Sequence, residues 1–126
     1  MEIISSSEAP AAIGPYSQAV RVGDFVFCSG QIGIDPVKKG LAGEDVTTQS
    51  QQVFENIKAV LKASGLELKD IVKTTVFLSD MKDFPVVNDL YGKAFGNHKP
   101  ARSTVQVARL PMDALIEIEC MAVITK

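Results

Sequence analysis

The chain has 126 residues, 46% of them hydrophobic and 22% charged, which is typical of one globular domain over residues 1–126. Its 13 Lys and Arg are scattered among 15 Asp and Glu, and the formal net charge of −2 argues against nucleic acid as a partner. No stretch approaches the ~18 apolar residues of a membrane span, and the N-terminus lacks a leader-like pattern. We therefore expect a cytoplasmic protein with no membrane partner.

Strand-like runs of β-branched and aromatic residues occur at both ends of the chain and in its middle. The first two runs are separated by Gly23-Asp24, which predicts a tight turn. Residues 36–43 predict a loop. The predicted strands are residues 20–22, 25–29, 71–78, 103–108 and 115–124.

A first helix is predicted after that loop. It begins at a cap near Asp45 or Thr47 and ends at Gly65. Its apolar residues recur at i, i+4, i+7 and i+8, which indicates one buried stripe. The stripe consists of Val53, Ile57, Val60 and Leu61.

A second helix is predicted between the strands at residues 71–78 and 103–108. Asp83 is its expected cap, and Pro85 falls in its first turn, where proline is favoured. Gly92 or Gly96 lies near its end.

The order of these elements predicts an α+β fold, in which two helices cover one face of a mixed β-sheet. In the last strand Glu117 and Glu119 face away from the apolar positions at 116, 118, 120 and 122. In residues 71–78 both faces contain apolar residues. Two helices can cover only one of them, so we expect self-association over the other. The expected faces are Val72, Val76 and Leu78 on one side, and Ile71 and Phe77 on the other.

Arg102 stands out because it follows Pro100-Ala101 and opens an apolar strand. An arginine there is either an edge charge that faces solvent or part of a polar cleft. Glu117 and Glu119 are open to similar interpretations: they lie on an exposed sheet face, form an ion pair at an interface, or line a cleft. An arginine and a carboxylate in one cleft would suit an anionic substrate that needs an activated water.

The familiar signatures of phosphate loops, dinucleotide sites, nucleophile elbows and zinc sites are absent from the sequence, so we expect neither a cofactor nor a metal. Cys28 and Cys120 lie in apolar strand-like runs. We predict two buried reduced thiols, in preference to a disulfide or a nucleophile. His98, the single histidine, is expected to be a solvated loop residue.

Several short blocks of the sequence are distinctive when taken together. They are residues 11–18 (AAIGPYSQ), 29–31 (SGQ), 70–78 (DIVKTTVFL), 100–103 (PARS), 107–111 (VARLP) and 116–119 (IEIE). In this order they closely resemble the reactive intermediate deaminase family, RidA subgroup, whose members are also called YjgF-type or endoribonuclease L-PSP-like. The resemblance covers essentially the whole chain at the family's spacing.

The resemblance implies a chorismate-mutase-like fold assembled as a homotrimer, with clefts between the subunits. It implies hydrolysis of 2-imino acids and enamines, such as 2-iminobutanoate and 2-iminopropanoate, to 2-keto acids and ammonia. Chain order alone suggests a hairpin of the last two strands. The resembling fold instead inserts the last strand between two others and leaves the Arg102 strand at the edge. The alternatives are a 2-keto-acid-binding regulator and an RNA-directed translation inhibitor.

The resemblance also assigns roles to residues. Arg102 would hold the substrate carboxylate, and Glu117 of a neighbouring subunit would activate the water. Many members carry cysteine two residues after the arginine, whereas this chain has Thr104, which excludes thiol chemistry at that position. The cleft-lining, substrate-binding positions are Tyr16, the backbone of Ser29 and Gly30, Asn88, Arg102 and Thr104.

Overall fold

The structure is a computed structural model that describes residues 1–125. Within these residues lie eight strands and two α-helices. In chain order they are β1 (Glu2–Ile4), β2 (Ala19–Val22), β3 (Phe25–Ile32), β4 (Ile34–Asp35), β5 (Gly40–Leu41), α1 (Val46–Lys62), β6 (Ile71–Leu78), α2 (Phe84–Phe95), β7 (Ala101–Gln106) and β8 (Ile116–Val123).

Six of the strands form one mixed sheet in the order β1-β2-β3-β8-β6-β7. Every neighbouring pair is antiparallel except β6 and β7, which are parallel. The last strand therefore lies between β3 and β6, and β7 forms one edge. This confirms the predicted α+β mixed sheet and the insertion of the last strand, and it excludes a hairpin of β7 and β8.

Helix α1 begins where the sequence predicts. The Asp45 carboxylate accepts a hydrogen bond from the Thr48 backbone nitrogen at 2.9 Å, which caps the helix. The predicted stripe of Val53, Ile57 and its neighbours is buried in the core. The helix stops at Lys62, three residues before the predicted end, because the chain turns through Gly65 in a left-handed conformation, with φ of 74°.

Helix α2 has Pro85 in its first turn and Gly96, with φ of 62°, at its end, as predicted. Asp83 occupies the predicted N-cap position, but its side chain makes no capping hydrogen bond. Asp83 also belongs to a short 3₁₀ turn, Met81–Asp83, whose start is capped by the Asp80 carboxylate. In the part of the chain that the structure describes, neither helix is long and apolar enough to cross a membrane.

Both helices pack on the same face of the sheet and share one apolar core with it. In β8 the alternation is as predicted, because Ile116, Ile118 and Cys120 are buried while Glu119 is exposed. In β6 the predicted faces are wrong at one end. A β-bulge shifts the register between Ile71 and Lys73, so Ile71 is fully buried with Val76 and Leu78, whereas Val72 is 43% exposed.

The face of the sheet that the helices leave uncovered is called the open face. It carries large apolar side chains at Phe25, Phe27 and Val105, which are 47%, 41% and 43% exposed in the single chain. The Phe25 and Phe27 rings stack with their centroids 6.2 Å apart. This is the second apolar face that the alternation predicts, and self-association over it stays a prediction.

Several boundaries differ from the sequence-based expectations. Strand β1 has no predicted counterpart, and β3 continues three residues beyond the predicted end. The predicted loop over residues 36–43 contains β5, which pairs with β4 in a small separate ribbon. His98 is half-buried rather than solvated, and its Nε2 lies 2.6 Å from the backbone oxygen of Ile71. Short elements of two or three residues are too brief for periodicity to reveal them.

Candidate functional site

The predicted site residues fall into two groups within the chain. The first, the arginine cluster, consists of Asn88, Arg102 and Thr104 at the edge strand β7 and helix α2. The second, the glutamate cluster, consists of Tyr16, Ser29, Gly30 and Glu117 near β3 and β8.

Arg102 is exposed at the sheet edge, but neighbouring side chains hold its guanidinium. Its Nη1 donates a hydrogen bond to the Asn88 side-chain oxygen at 2.8 Å. Its central carbon lies 4.8 Å from the centre of the Tyr91 ring and 5.5 Å from that of Phe84. Among residues 1–125, no carboxylate forms an ion pair with Arg102. The guanidinium is therefore fixed in place while its charge is uncompensated.

Thr104 lies two residues beyond Arg102 on the same face of β7. Its hydroxyl oxygen is buried and has no hydrogen-bond partner within the described residues. A buried hydroxyl without a partner is costly in a folded protein. Among residues 1–125, the Thr104 hydroxyl is thus an unsatisfied polar group close to Arg102 in the strand.

The glutamate cluster depends on a bulge in β3. The register against β8 shifts between Cys28 and Gln31, so that both Ser29 and Gly30 oppose the single residue Glu119. A Cβ atom built on Gly30 would lie 2.8 Å from the Cδ atom of Glu117. Only glycine leaves room for the Glu117 carboxyl group at this place.

Glu117 is half-buried on the strand β8, whereas Glu119, two residues on, is exposed. Burial raises the pKa of the Glu117 carboxyl group above its ordinary value, and the negative charge of Glu119 raises it further. A carboxylate with a raised pKa is a stronger base once it is ionised, which suits the activation of a water molecule.

A cavity of about 230 Å³ opens beside Glu117. Tyr16, 54% exposed, lines it, together with Gly30 and the apolar side chains of Ile13 and Met112. Ser29 is not among the lining residues. The Ser29 hydroxyl donates a hydrogen bond to the Ser17 backbone oxygen at 2.6 Å. The Ser29 backbone nitrogen donates to the Gln18 backbone oxygen at 2.9 Å. The structure therefore assigns Ser29 to the architecture of the bulge, and its predicted contact with substrate stays untested.

Arg102 and Glu117 lie on opposite faces of the sheet. Arg102 pairs with Thr74 of β6, whose side chain is fully buried on the helix side. Glu117 pairs with Phe77 of β6, which lies three residues beyond Thr74. Because successive side chains of a strand alternate between the two faces, Phe77 and Glu117 point to the open face. Within one chain, strand β6 separates the two groups. The two clusters can therefore form one cleft only if a second copy supplies one of them.

Sequence reasoning missed Phe84 and Tyr91, the two aromatic residues beneath Arg102. Together with Asn88 they recur at i, i+4 and i+7 along α2, so all three line one face of the helix. The spacing is visible in the sequence, but an aromatic stripe on a helix usually indicates only core packing.

The two cysteines belong to neither cluster, although Cys28 directly precedes Ser29 in β3. Cys28 and Cys120 are free, buried and directly opposite each other on β3 and β8, as expected for reduced thiols. A hydrogen bond to Cys28 and burial both raise the pKa of the Cys120 thiol, which keeps it protonated. Within residues 1–125, no group of three or more His, Cys, Asp and Glu side chains could hold a metal ion.

Known proteins resemble the chain over nearly its whole length. The family described as Endoribonuclease L-PSP matches residues 6–124. A 2-iminobutanoate/2-iminopropanoate deaminase of Salmonella typhimurium is 54% identical over 123 residues, covering 95% of this chain and 95% of that protein. A RutC family protein of Pyrococcus horikoshii is 51% identical over 121 residues, covering 96% of each.

Solved structures agree with the observed fold. Escherichia coli TdcF, solved with bound serine, has a TM-score of 0.95 at 45% identity and matches 99% of this chain and 100% of its own. The YjgF gene product of Escherichia coli has a TM-score of 0.93 at 48% identity, with 98% of both chains covered.

Proposed function

Because the chain belongs to the Endoribonuclease L-PSP family, also named YjgF/RidA, we propose that it hydrolyses reactive 2-imino acids to 2-keto acids and ammonia. Substrates of this class include 2-iminobutanoate and 2-iminopropanoate. Both compounds appear in the names of relatives whose sequences are 50% and 54% identical to this chain. Their enamine tautomers enter the reaction after a proton moves to carbon.

The observation that carries this proposal is the uncompensated charge of Arg102. Its guanidinium is held by Asn88 and two aromatic rings, and among residues 1–125 no acid neutralises it. A planar guanidinium binds a carboxylate through two parallel hydrogen bonds. Every 2-imino acid offers such a carboxylate next to the reacting carbon.

Glu117 supplies the base in this scheme. The Glu117 carboxylate takes a proton from water while the water oxygen bonds to the imine carbon, and the C=N electron pair moves to nitrogen. The protonated Glu117 then returns its proton to the nitrogen of the carbinolamine. Glu117 next accepts the carbinolamine hydroxyl proton and passes it to the nitrogen. The C–N bond breaks as the oxygen electron pair forms the C=O bond, ammonia leaves, and Glu117 is ionised again. A positioned base contributes about 10²–10⁴-fold to such a reaction.

The working site is proposed to form between subunits of a homotrimer. Arg102 and Glu117 lie on opposite sheet faces of one chain, so a cleft that contains both needs two copies. The exposed apolar open face, with Phe25 and Phe27, supports the same assembly. The two buried free thiols suit a reducing compartment, and we place the protein in the cytoplasm.

The test is a coupled assay in which threonine dehydratase generates the imine in the presence of a scavenger amine. The purified protein should speed the appearance of 2-oxobutanoate and reduce the amount of trapped imine, whereas its Arg102→Ala variant should do neither. Binding of 2-oxobutanoate without any acceleration would instead favour a regulatory keto-acid-binding protein, because the same arginine would serve both.

A further inference from the structure

The Arg102 guanidinium rests on a side chain that is itself fixed from below. The Tyr91 ring lies under the guanidinium, 4.8 Å from its central carbon. The Tyr91 hydroxyl is 2.7 Å from the Thr74 hydroxyl, and Thr74 is fully buried. Thr74 is also the residue that pairs with Arg102 across β6 and β7. These contacts close a loop from Arg102 through the strand ladder to Thr74, on to Tyr91, and back to Arg102.

We propose that Tyr91, anchored by Thr74, is a positioning residue that holds the Arg102 guanidinium in the orientation needed to bind the substrate carboxylate. The inference rests on the proposed function, since it concerns the same arginine. Tyr91 touches neither substrate nor water in this scheme and acts only through Arg102.

The arrangement explains how a long side chain at an exposed sheet edge keeps one orientation. An arginine has several rotatable bonds, and fixing them costs conformational entropy. The face of an aromatic ring attracts the cation through its quadrupole, and Tyr91 presents its face from a buried position, at 7% exposure. Asn88 occupies one guanidinium nitrogen, Nη1. The remaining nitrogen donors stay free for a carboxylate.

The Tyr91 hydroxyl is suited to this role because it remains a neutral donor or acceptor. Burial, the largest influence, raises the pKa of Tyr91 above its ordinary value. The phenol therefore stays protonated at physiological pH, and the bond to Thr74 persists. The aromatic neighbours Phe54 and Phe95, with centroids 6.1 Å and 4.6 Å from that of Tyr91, restrict the ring from its other sides.

The other end of the same core provides a control. Val26 of β3 is fully buried in the core that contains Tyr91. Two strands, β8 and β6, lie between β3 and the Arg102 strand β7. Val26→Ala should therefore lower stability by leaving a void in the core, without disturbing Tyr91 or Arg102.

The experiment measures calorimetric affinity for 2-oxobutanoate, an unreactive carboxylate probe, together with KM and kcat for the imine. Tyr91→Leu should weaken binding and raise KM about tenfold, with a smaller change in kcat. Tyr91→Phe, which keeps the ring, should bind more tightly than Tyr91→Leu. Val26→Ala should lower the melting temperature but leave affinity within about twofold of the unmodified protein.

Incorporation of increasingly fluorinated phenylalanines at position 91 tests the same point without truncating the core. Fluorine withdraws charge from the ring face, so affinity should fall stepwise while the melting temperature changes little. Equal affinities of Tyr91→Leu and Val26→Ala, or no trend with fluorination, would overturn the inference alone. An unmodified protein that binds 2-oxobutanoate but hydrolyses no imine would overturn the proposed reaction, and the affinity series would still decide the role of Tyr91.

Discussion

Gly30 and Glu117 approach each other so closely that a Cβ at position 30 would lie 2.8 Å from the Glu117 Cδ atom. We predict that Gly30→Ala displaces the Glu117 carboxyl group and lowers kcat for imine hydrolysis about 100-fold, because the base leaves its position. Binding of 2-oxobutanoate should persist, since Arg102 is untouched. Gly40→Ala is the matched control, because nothing lies within 4 Å of its added methyl group, and steady-state kinetics compares the two. Equal kcat values for both variants would contradict the role of this contact.

The pH dependence of turnover should report on Glu119. Burial and the charge of Glu119 raise the pKa of Glu117, so Glu117 keeps its proton to a higher pH than an ordinary glutamate does. The base is active only when ionised, so kcat/KM should fall as the pH drops below this raised pKa. Glu119→Gln removes the repulsion and should move that acid limb to lower pH, while the maximal rate stays within about threefold.

Glu117→Gln distinguishes this arrangement from one in which Glu119 is the base. It keeps the shape of the side chain and loses its basicity, so we expect about a 100-fold loss of kcat above the raised pKa of Glu117 and a smaller loss below it, where the unmodified base is protonated. An acid limb that persists unchanged in Glu119→Gln, or a larger loss of kcat there than in Glu117→Gln, would reassign the base.

Arg102→Ala should reduce kcat/KM for the imine at least about 100-fold, because the substrate carboxylate loses its two-pronged partner. Arg102→Lys should reduce kcat/KM almost as much, since an ammonium group cannot form the two parallel hydrogen bonds that a planar guanidinium makes with a carboxylate. The melting temperature should change little, because Arg102 is exposed. Arg21→Ala is the control, since Arg21 Nε donates to the Gly23 backbone oxygen in the hairpin turn between β2 and β3. Near-normal turnover of a folded Arg102→Ala protein would refute the mechanism.

Much of the fold is accessible from the sequence, because β8 alternates strictly and α1 has a clear buried stripe. Alternation fails at Ile71 and Val72, where a bulge inserts one residue and reverses the faces beyond it. A bulge is set by pairing with the neighbouring strand, which no local pattern records. Arg102 and Glu117 were assigned through the family resemblance. The contact of Tyr91 with Arg102 depends on the packing of α2 against the edge strand, so the sequence alone could not predict it.

The cysteines should be dispensable for the reaction. Cys28 and Cys120 oppose each other with both thiols buried in the core, and the raised pKa of Cys120 leaves it unreactive. Replacing both with Ala should leave kcat/KM within about twofold and lower the free energy of unfolding by about 1–3 kcal/mol, through lost packing. Thermal melts and kinetics on the same preparation test this. Lost turnover in a well-folded double variant would revive a thiol mechanism.

Subunit mixing tests whether the two clusters meet across an interface, as their opposite positions on the sheet require. An Arg102→Ala subunit keeps Glu117, and a Glu117→Gln subunit keeps Arg102. Every trimer that contains both kinds of subunit then has one intact cleft of three. After random assembly from equal amounts, three quarters of the trimers contain both kinds. Equal mixing of the two inactive proteins should therefore restore about a quarter of the unmodified activity. The control mixes Arg102→Ala subunits with subunits that carry both Arg102→Ala and Glu117→Gln, since no such trimer contains an intact Arg102. Trimers whose exchange is verified by native mass spectrometry, and which nevertheless stay inactive, would place both residues of each working pair on one chain.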